Sequence, residues 1–148
     1  AAGFRLDKKN YEHFIKIFKK QCRQQLLGKD LLPTLIIDSQ VNFDQVNWQL
    51  FDQVAYLEPT GQGNAPAIFA SYAAEVLEIQ PVGATNQHQR LILRQGGEVK
   101  KFIMFNAEKK GTELKIGDRL DVAYDVGINE WNGNRELQLK IIDFKKFD

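Results

Sequence analysis

Positive charges are interleaved with aromatic rings in the second half of the chain. These residues lie on two predicted strands and around the tip of a predicted hairpin: Arg90, Arg94, Lys100, Lys101, Phe102, Trp131 and Arg135. Single-stranded nucleic acids are held by cations along the phosphates and by rings that stack on the bases. The pattern therefore favours a surface that binds single strands, with these seven residues as the predicted contacts.

Simpler explanations exist for the same residues. Lysines on strands, such as Lys100 and Lys101, often only protect the edge of a sheet from unwanted pairing. Phe105, on the same predicted strand, is expected to fill the core. The exposed Trp131 would also be a good anchor for a protein interface. A protein-interaction surface is therefore an open alternative.

Catalytic and metal-binding patterns are missing from the sequence. His13 and His88 are the only histidines, one on a predicted helix and one in a loop rich in Gln and Asn. A metal site needs three or four convergent ligands, and no spaced set is available. Cys22 lies on the apolar face of the same predicted helix, where a buried structural thiol is expected. We therefore predict no catalytic residue and no metal ligand in this chain.

The size and charge of the chain limit the possible functions. Its 148 residues, 43% of them hydrophobic, suit one domain, or one small domain with an appendage. The net charge is only +1, so any basic surface must be local. No apolar run is long enough to cross a membrane. A single cysteine excludes an internal disulfide and fits a reducing compartment, which predicts a cytoplasmic protein.

The first half of the chain has the periodicity of helices. Apolar residues predict an amphipathic helix over residues 8–27, with Asp7 as the N-cap and Gly28 as the stop. Residues 31–38 are short and apolar and predict a strand, and Pro33 confines it to a sheet edge or to the start of a strand. A second helix is predicted over residues 47–57. It is followed by a glycine-rich stretch that predicts a structural turn, because a phosphate-binding loop would need a strand before it and a helix after it.

The second half of the chain has the period-two alternation of strands. Short strands are predicted over residues 67–72, 75–81, 89–95 and 99–106. Residues 122–144 then predict a hairpin with a broad loop around Asn132-Gly133-Asn134, tipped by Trp131. A turn at residues 114–118 launches the first strand of this hairpin. Five or six short antiparallel strands at this spacing indicate a small barrel or a sandwich.

Several stretches resemble RecJ, the family of single-stranded-DNA-specific exonucleases. The stretch Leu57-Glu58-Pro59-Thr60-Gly61-Gln62-Gly63-Asn64, ending at Phe69, resembles the family's Leu-Glu-Pro-Phe-Gly-x-Gly-Asn…Phe signature. The hairpin sequences Ile128-Asn129-Glu130-Trp131-Asn132-Gly133 and Leu137-Gln138-Leu139 resemble the end of its OB-type domain. Ala1-Ala2-Gly3-Phe4 resembles the tail of its Gly-Gly-His-x-x-Ala-Ala-Gly motif. The chain departs from the signature at Thr60, where the family usually has Phe.

This resemblance implies a mainly β (α+β) fold, in which two helices precede a small antiparallel OB-like barrel. Residues 1–30 would be the last helix of a DHH-associated domain. Residues 31–148 would be the OB-like domain, with residues 31–66 as its strand-helix extension. The catalytic DHH domain, which in this family binds Mn²⁺ or Mg²⁺, has no counterpart here, so no cofactor is expected in this fragment.

The resemblance also implies a role and partners. The parent would be a 5′–3′ exonuclease of DNA recombination and repair, and this part would bind single-stranded DNA while hydrolysis occurs elsewhere. A single-strand-binding protein is a further expected partner, and a membrane is not expected. The competing hypotheses are a protein-interaction module, a structural brace of the parent and an autonomous enzyme.

Overall fold

A computed structural model describes residues 3–107 and 113–147 of the chain. Contacts divide the chain into two compact units, Ala1–Leu35 and Ile36–Asp148. No helix within the described ranges is long and apolar enough to span a lipid bilayer. The assignment of residues 1–30 to a DHH-associated domain stays a prediction.

The first unit is built on helix α1, Tyr11–Leu26, which follows a 3-10 turn at Lys8–Asn10. This confirms the predicted helix. Its end is as expected, because Gly28 has a φ of 74°, a conformation that glycine adopts without steric cost. The predicted cap is wrong, because the side chain of Asp7 makes no capping hydrogen bond. Cys22 is half-buried and not buried as expected. Ala1 and Ala2 of the RecJ-like tail lie outside the described residues.

The predicted strand over residues 31–38 is wrong. Strand β1 is only Ser39–Gln40, and it pairs in parallel with a later strand. The N–H of Leu32 donates to the Asp30 carboxylate at 3.0 Å, a local turn bond that competes with strand pairing. Contact with the sheet starts at Asp38, whose N–H donates to the carbonyl of Ile68 at 2.8 Å.

Helix α2, Trp48–Ala55, confirms the second predicted helix. Asn47 caps it, since its side-chain oxygen accepts the N–H of Leu50 at 3.1 Å. The glycine-rich stretch after the helix is a turn, as predicted. The Asn64 side chain closes this turn by donating to the carbonyls of Leu57 and Pro59, each at 2.9 Å.

Five long strands form the rest of the second unit. They are β2 (Phe69–Val82), β3 (His88–Gln95), β4 (Glu98–Met104), β5 (Arg119–Trp131) and β6 (Asn134–Lys146). The strand order is β1-β2-β3-β4-β6-β5, and pairing of β2 with β5 closes the sheet into a barrel. The mainly β, OB-like barrel is therefore confirmed. It is not purely antiparallel, because β4 and β6 run in the same direction where they meet.

Strand β2 replaces two predicted strands, residues 67–72 and 75–81. The break expected between them is a bulge, at which the pairing with β5 shifts register between Ser71 and Ala74. Ala73 has a φ of 54° there, and its N–H donates to the carboxylate of Asp121 at 3.0 Å. The bulge bends β2, so that its first half pairs with β5 and its second half with β3.

The predicted hairpin is confirmed as β5 and β6, but its loop is tight and not broad. Trp131 pairs with Asn134, and only Asn132 and Gly133 lie between them, with φ values of 49° and 78°. Two successive positive φ values suit the right-handed twist of the flanking strands. The turn that launches β5 is also confirmed, since the Asp118 carboxylate accepts the Lys115 N–H at 2.7 Å. The predicted break from residue 107 to 117 includes residues 108–112, which lie outside the described ranges.

The barrel core consists of inward-facing residues from all five long strands and of Val41, Phe43 and Val46. The Phe102 ring lies at its centre, with centroids 5.3 Å from Phe43 and 5.1 Å from Tyr124. Leu50, Phe51 and Val54 of α2 pack against this core. Burial of each large side chain contributes about 1.5–3 kcal/mol to folding. This packing decides which face of each strand remains outside.

Candidate nucleic-acid interface

Strands β3 and β4 each present one row of side chains to the core and one row to the outside. Leu91 and Leu93 of β3 are buried, so Arg90, Ile92 and Arg94 point outward. In the antiparallel register, Arg90 lies opposite Ile103, and Ile92 lies opposite Lys101. The diagonal neighbours Arg90 and Lys101 therefore share one outer surface.

The two phenylalanines of this region have the opposite burial from that predicted. Phe102 was predicted to stack on bases, but its ring is 1% exposed and lies in the core, so that prediction is wrong. Phe105 was expected in the core, yet it is 41% exposed. It follows Lys101 and Ile103 at two-residue spacing and packs edge-on against His88, with centroids 4.9 Å apart. The exposed ring of this surface is therefore that of Phe105.

A groove runs over the outside of the barrel beside Arg90 and Lys101. It has a volume of about 240 Å³, and we call it the outer groove. The lining residues are Val82, Arg90, Lys101, Ile103, Glu136, Leu137, Gln138 and Leu139. These residues come from β2, β3, β4 and β6, so only the closed barrel brings them together.

Glu136 is the acidic residue of the outer groove, and the sequence interpretation missed it. Lys101 Nζ lies 2.7 Å from Glu136 Oε2. The hydrogen bond from Lys101 lowers the pKa of Glu136, and the positive charges of Lys101 and Arg90 lower it further. Glu136 is therefore ionised at neutral pH, and it partly neutralises the two cations. The sequence could not show this ion pair, because β4 and β6 are far apart along the chain.

Two other predicted contacts lie away from the outer groove. Arg94 points outward at the far end of β3, where its guanidinium lies 2.7 Å from the Glu75 carboxylate. Lys100 is in the same row of β4 as the buried Phe102, and its ammonium lies 3.6 Å from Glu98 at the end of the barrel. Contact of these two residues with nucleic acid stays a prediction.

The hairpin tip carries the last two predicted contacts. Trp131 is 72% exposed at the turn. The Arg135 guanidinium lies 5.1 Å from the centroid of the Trp48 ring and 5.8 Å from that of Phe51. It also forms an ion pair with Glu130 at 3.3 Å. Arg135 thus joins the hairpin to α2. Its contact with single-stranded nucleic acid stays a prediction.

His88 connects the loop between β2 and β3 to the turn that follows β4. Its Nδ1 accepts the N–H of Asn106 at 3.1 Å, while the N–H of Ala107 donates to the carbonyl of Gln87 at 2.9 Å. The loop between β2 and β3 is thereby held against the end of β4. The prediction that His88 lies in a loop is wrong, because it is the first residue of β3. Its partners are distant along the chain, so the sequence could not show them.

No group of three or more His, Cys, Asp or Glu side chains that could hold a metal ion occurs in residues 3–107 and 113–147. We therefore assign no ligand for a metal within these ranges. The described charged groups that line the outer groove, two cations and a carboxylate, are suited to binding and orientation. None of them is arranged as a nucleophile beside a base.

Known proteins resemble this chain over nearly its whole length. The chain is 26% identical over 147 residues to the single-stranded-DNA-specific exonuclease RecJ of Haemophilus influenzae, covering 97% of this chain and 25% of that protein. Identity to RecJ of Bacillus subtilis is 21% over 143 residues, covering 97% of this chain and 18% of that protein. The chain thus spans a quarter or less of these relatives' length.

A crystal structure shows the same fold. RecJ of Thermus thermophilus in complex with Mn²⁺ superposes with a TM-score of 0.73 at 23% identity, covering 99% of this chain and 20% of that one. The sequence model of the RecJ OB domain matches residues 37–143, which include β1 to β5 and all but the last three residues of β6. The chain belongs to the RecJ OB domain family.

Proposed function

We propose that this chain is the strand-holding OB domain of a RecJ-type exonuclease and that it binds single-stranded DNA along the outer groove. The observation that carries the proposal is the common outward face of Arg90 on β3 and Lys101 on β4, which line one groove. The exposed ring of Phe105 lies one residue beyond the end of β4. In OB barrels, the corresponding two strands and the loops beside them bind oligonucleotides. Here those loops are residues 83–87 and the Asn132-Gly133 turn.

The ion pair in the outer groove is compatible with binding a phosphate. The side chains of Lys101 and Glu136 are each about half exposed, at 43% and 52%. Exposed pairs of this kind contribute only about 0–1 kcal/mol. A DNA phosphate can therefore replace Glu136 as the partner of Lys101 at little cost. Arg90 has no ion-pair partner within 4 Å in the described part of the chain and supplies a second cation for the backbone.

Fluorescence anisotropy with labelled oligodeoxythymidine tests the proposal. We expect binding that weakens with salt, since phosphate contacts release counterions. Arg90→Ala and Lys101→Ala should each weaken binding about fivefold and reduce the slope of log K against log salt by about 0.7. Lys145→Ala is the matched control, because it removes an exposed cation near the end of β6, away from the outer groove.

The result that would overturn the proposal is also clear. Binding that is absent at low salt, or that does not depend on salt, is incompatible with phosphate contacts. Equal losses in Arg90→Ala and Lys145→Ala would show that only the overall charge matters.

The wider role that we propose comes from the relatives. Within a longer RecJ-type protein, this domain would hold the strand while a metal-dependent domain elsewhere, using Mn²⁺ or Mg²⁺, cleaves it. That activity would serve DNA recombination and repair in the cytoplasm, with a single-strand-binding protein as a further partner. Adding the outer-groove substitutions to the complete protein should raise the KM for single-stranded DNA and leave kcat nearly unchanged. An unchanged KM would contradict this role.

A second candidate function is protein binding through the hairpin tip. The observation that favours it is the 72% exposure of Trp131, a residue type common at interface hot spots. A pull-down that persists at high salt and is lost in Trp131→Ala would support this function. Loss of DNA affinity in Trp131→Ala would instead assign the tryptophan to the DNA surface.

A further inference from the structure

The outer groove also has the composition of a base-reading site. We propose that it accommodates a single base of the bound strand, and that Glu136 makes it prefer cytosine over uracil or thymine. This inference rests on the proposed function, because it requires that DNA follow the outer groove. It adds a moderate base preference to a surface otherwise suited to any sequence.

The size and floor of the groove fit one base. Its volume of about 240 Å³ is below the roughly 300–1,000 Å³ of sites for drug-sized ligands. Val82, Ile103 and Leu137 supply aliphatic surface for the flat face of a base. Among the described residues, no aromatic ring lines the groove, so these side chains take the place of a stacking partner.

The polar groups at the groove determine which base edge is favoured. Glu136 is an acceptor without a proton, because its pKa is lowered by Lys101. Lys101 and Asn129 use part of its hydrogen-bonding capacity, but a carboxylate has about four acceptor positions. The N4 amino group of cytosine can donate to a free position, as carboxylates accept from this group in base recognition. The O4 atom of uracil is itself an acceptor and is repelled there.

The two cations of the groove have a separate task. Arg90 and Lys101 carry donors only, and they suit the phosphates on either side of the base. Their contribution is the same for every sequence. Glu136 lowers this general attraction and adds a base-dependent contact, so the preference and the affinity should respond differently to its substitution.

Oligodeoxycytidine and oligodeoxyuridine of equal length form the appropriate pair of probes. They differ in the groups at N3 and C4 of the base, and neither carries the methyl group of thymine. With the whole chain at neutral pH, we expect anisotropy to give about fivefold tighter binding of the cytidine oligomer. Glu136→Gln should reduce that ratio to about onefold, chiefly by tightening binding of the uridine oligomer. Glu130→Gln, on the same hairpin, is the control and should leave the ratio unchanged.

The outcomes separate this inference from the proposed function. If neither oligomer binds, the proposed function fails. If both bind equally and Arg90→Ala weakens both, the proposed function stands and the base site is excluded. If Glu136→Gln tightens both by the same factor, Glu136 acts only through its charge, and the base preference is likewise overturned.

Discussion

The hydroxyl groups of Ser71 and Tyr124 lie 2.9 Å apart inside the barrel, where both residues are fully buried. Ser71 donates its proton to the carbonyl of Val41 at 2.7 Å. Tyr124 must then be the donor to Ser71, since a hydroxyl has only one proton. This chain of two hydrogen bonds fastens the segment around β1 to the bulged part of β2 and to β5.

The two hydroxyls should contribute unequally to stability. Tyr124→Phe removes one hydrogen bond and should lower the free energy of unfolding by about 1 kcal/mol. Ser71→Ala leaves both the Tyr124 hydroxyl and the Val41 carbonyl unpaired, and should cost about 2 kcal/mol or more. Urea denaturation measures both values. A larger loss in Tyr124→Phe than in Ser71→Ala would contradict this direction of donation.

Alkaline pH should weaken the fold through Tyr124. Burial raises the pKa of Tyr124 to about 12 from its ordinary value of 10.0. Below pH 10, the phenol is protonated in both states, so its contribution is constant. Between pH 10 and 12, the unfolded chain releases the proton first, and stability falls by up to about 1.4 kcal/mol per pH unit.

Comparison with Tyr124→Phe isolates this effect from the other tyrosines and the lysines. The difference in unfolding free energy between the two proteins should be constant up to about pH 10. It should then change in favour of the phenylalanine variant. Parallel pH profiles up to pH 12 would show that Tyr124 ionises normally in the folded state.

Phe102 and Phe105 form a matched pair for separating stability from binding. Phe102→Ala should reduce the free energy of unfolding by about 3 kcal/mol or more, because it opens a cavity beside Phe43 and Tyr124. Phe105→Ala should reduce it by less than about 1 kcal/mol. It should instead weaken binding of single-stranded DNA by about 1 kcal/mol or more through lost stacking. Denaturation and anisotropy on both variants measure the two effects. A larger loss of stability in Phe105→Ala, or a larger loss of DNA affinity in Phe102→Ala, would contradict this prediction.

Arg135 should act on stability more than on DNA affinity. Its guanidinium over Trp48 and Phe51 contributes about 0.5–1 kcal/mol, so Arg135→Ala should lower the free energy of unfolding by that amount. Arg135→Lys should restore only part of it, because an ammonium lacks the planar face. Both variants should weaken binding of oligodeoxythymidine less than Arg90→Ala does, because Arg135 is not among the residues that line the outer groove. A weaker affinity with a smaller salt slope would place Arg135 on the DNA path.

Some features of this protein were determined by the sequence itself. The alternation along β5 and β6, with Asn132-Gly133 between them, identifies a hairpin because it meets local steric requirements. The same holds for the apolar spacing of α1 and α2 and for the stop at Gly28, which depend only on near neighbours. The resemblance to RecJ also needs no coordinates. Local chemistry was sufficient for the hairpin and the helices, whereas the OB-type barrel was expected only from the family resemblance.

The tertiary structure alone decided which side chains form the outer groove. Residues 102–105 are apolar in both alternating rows, Phe102 with Met104 and Ile103 with Phe105, so alternation could not show which row is buried. Register with β3 and β6 made that choice, by placing Phe102 opposite Leu91 and Leu139. The bulge in β2 likewise depends on partners in β5. Such choices depend on pairing between distant segments, and that pairing exists only once the barrel closes.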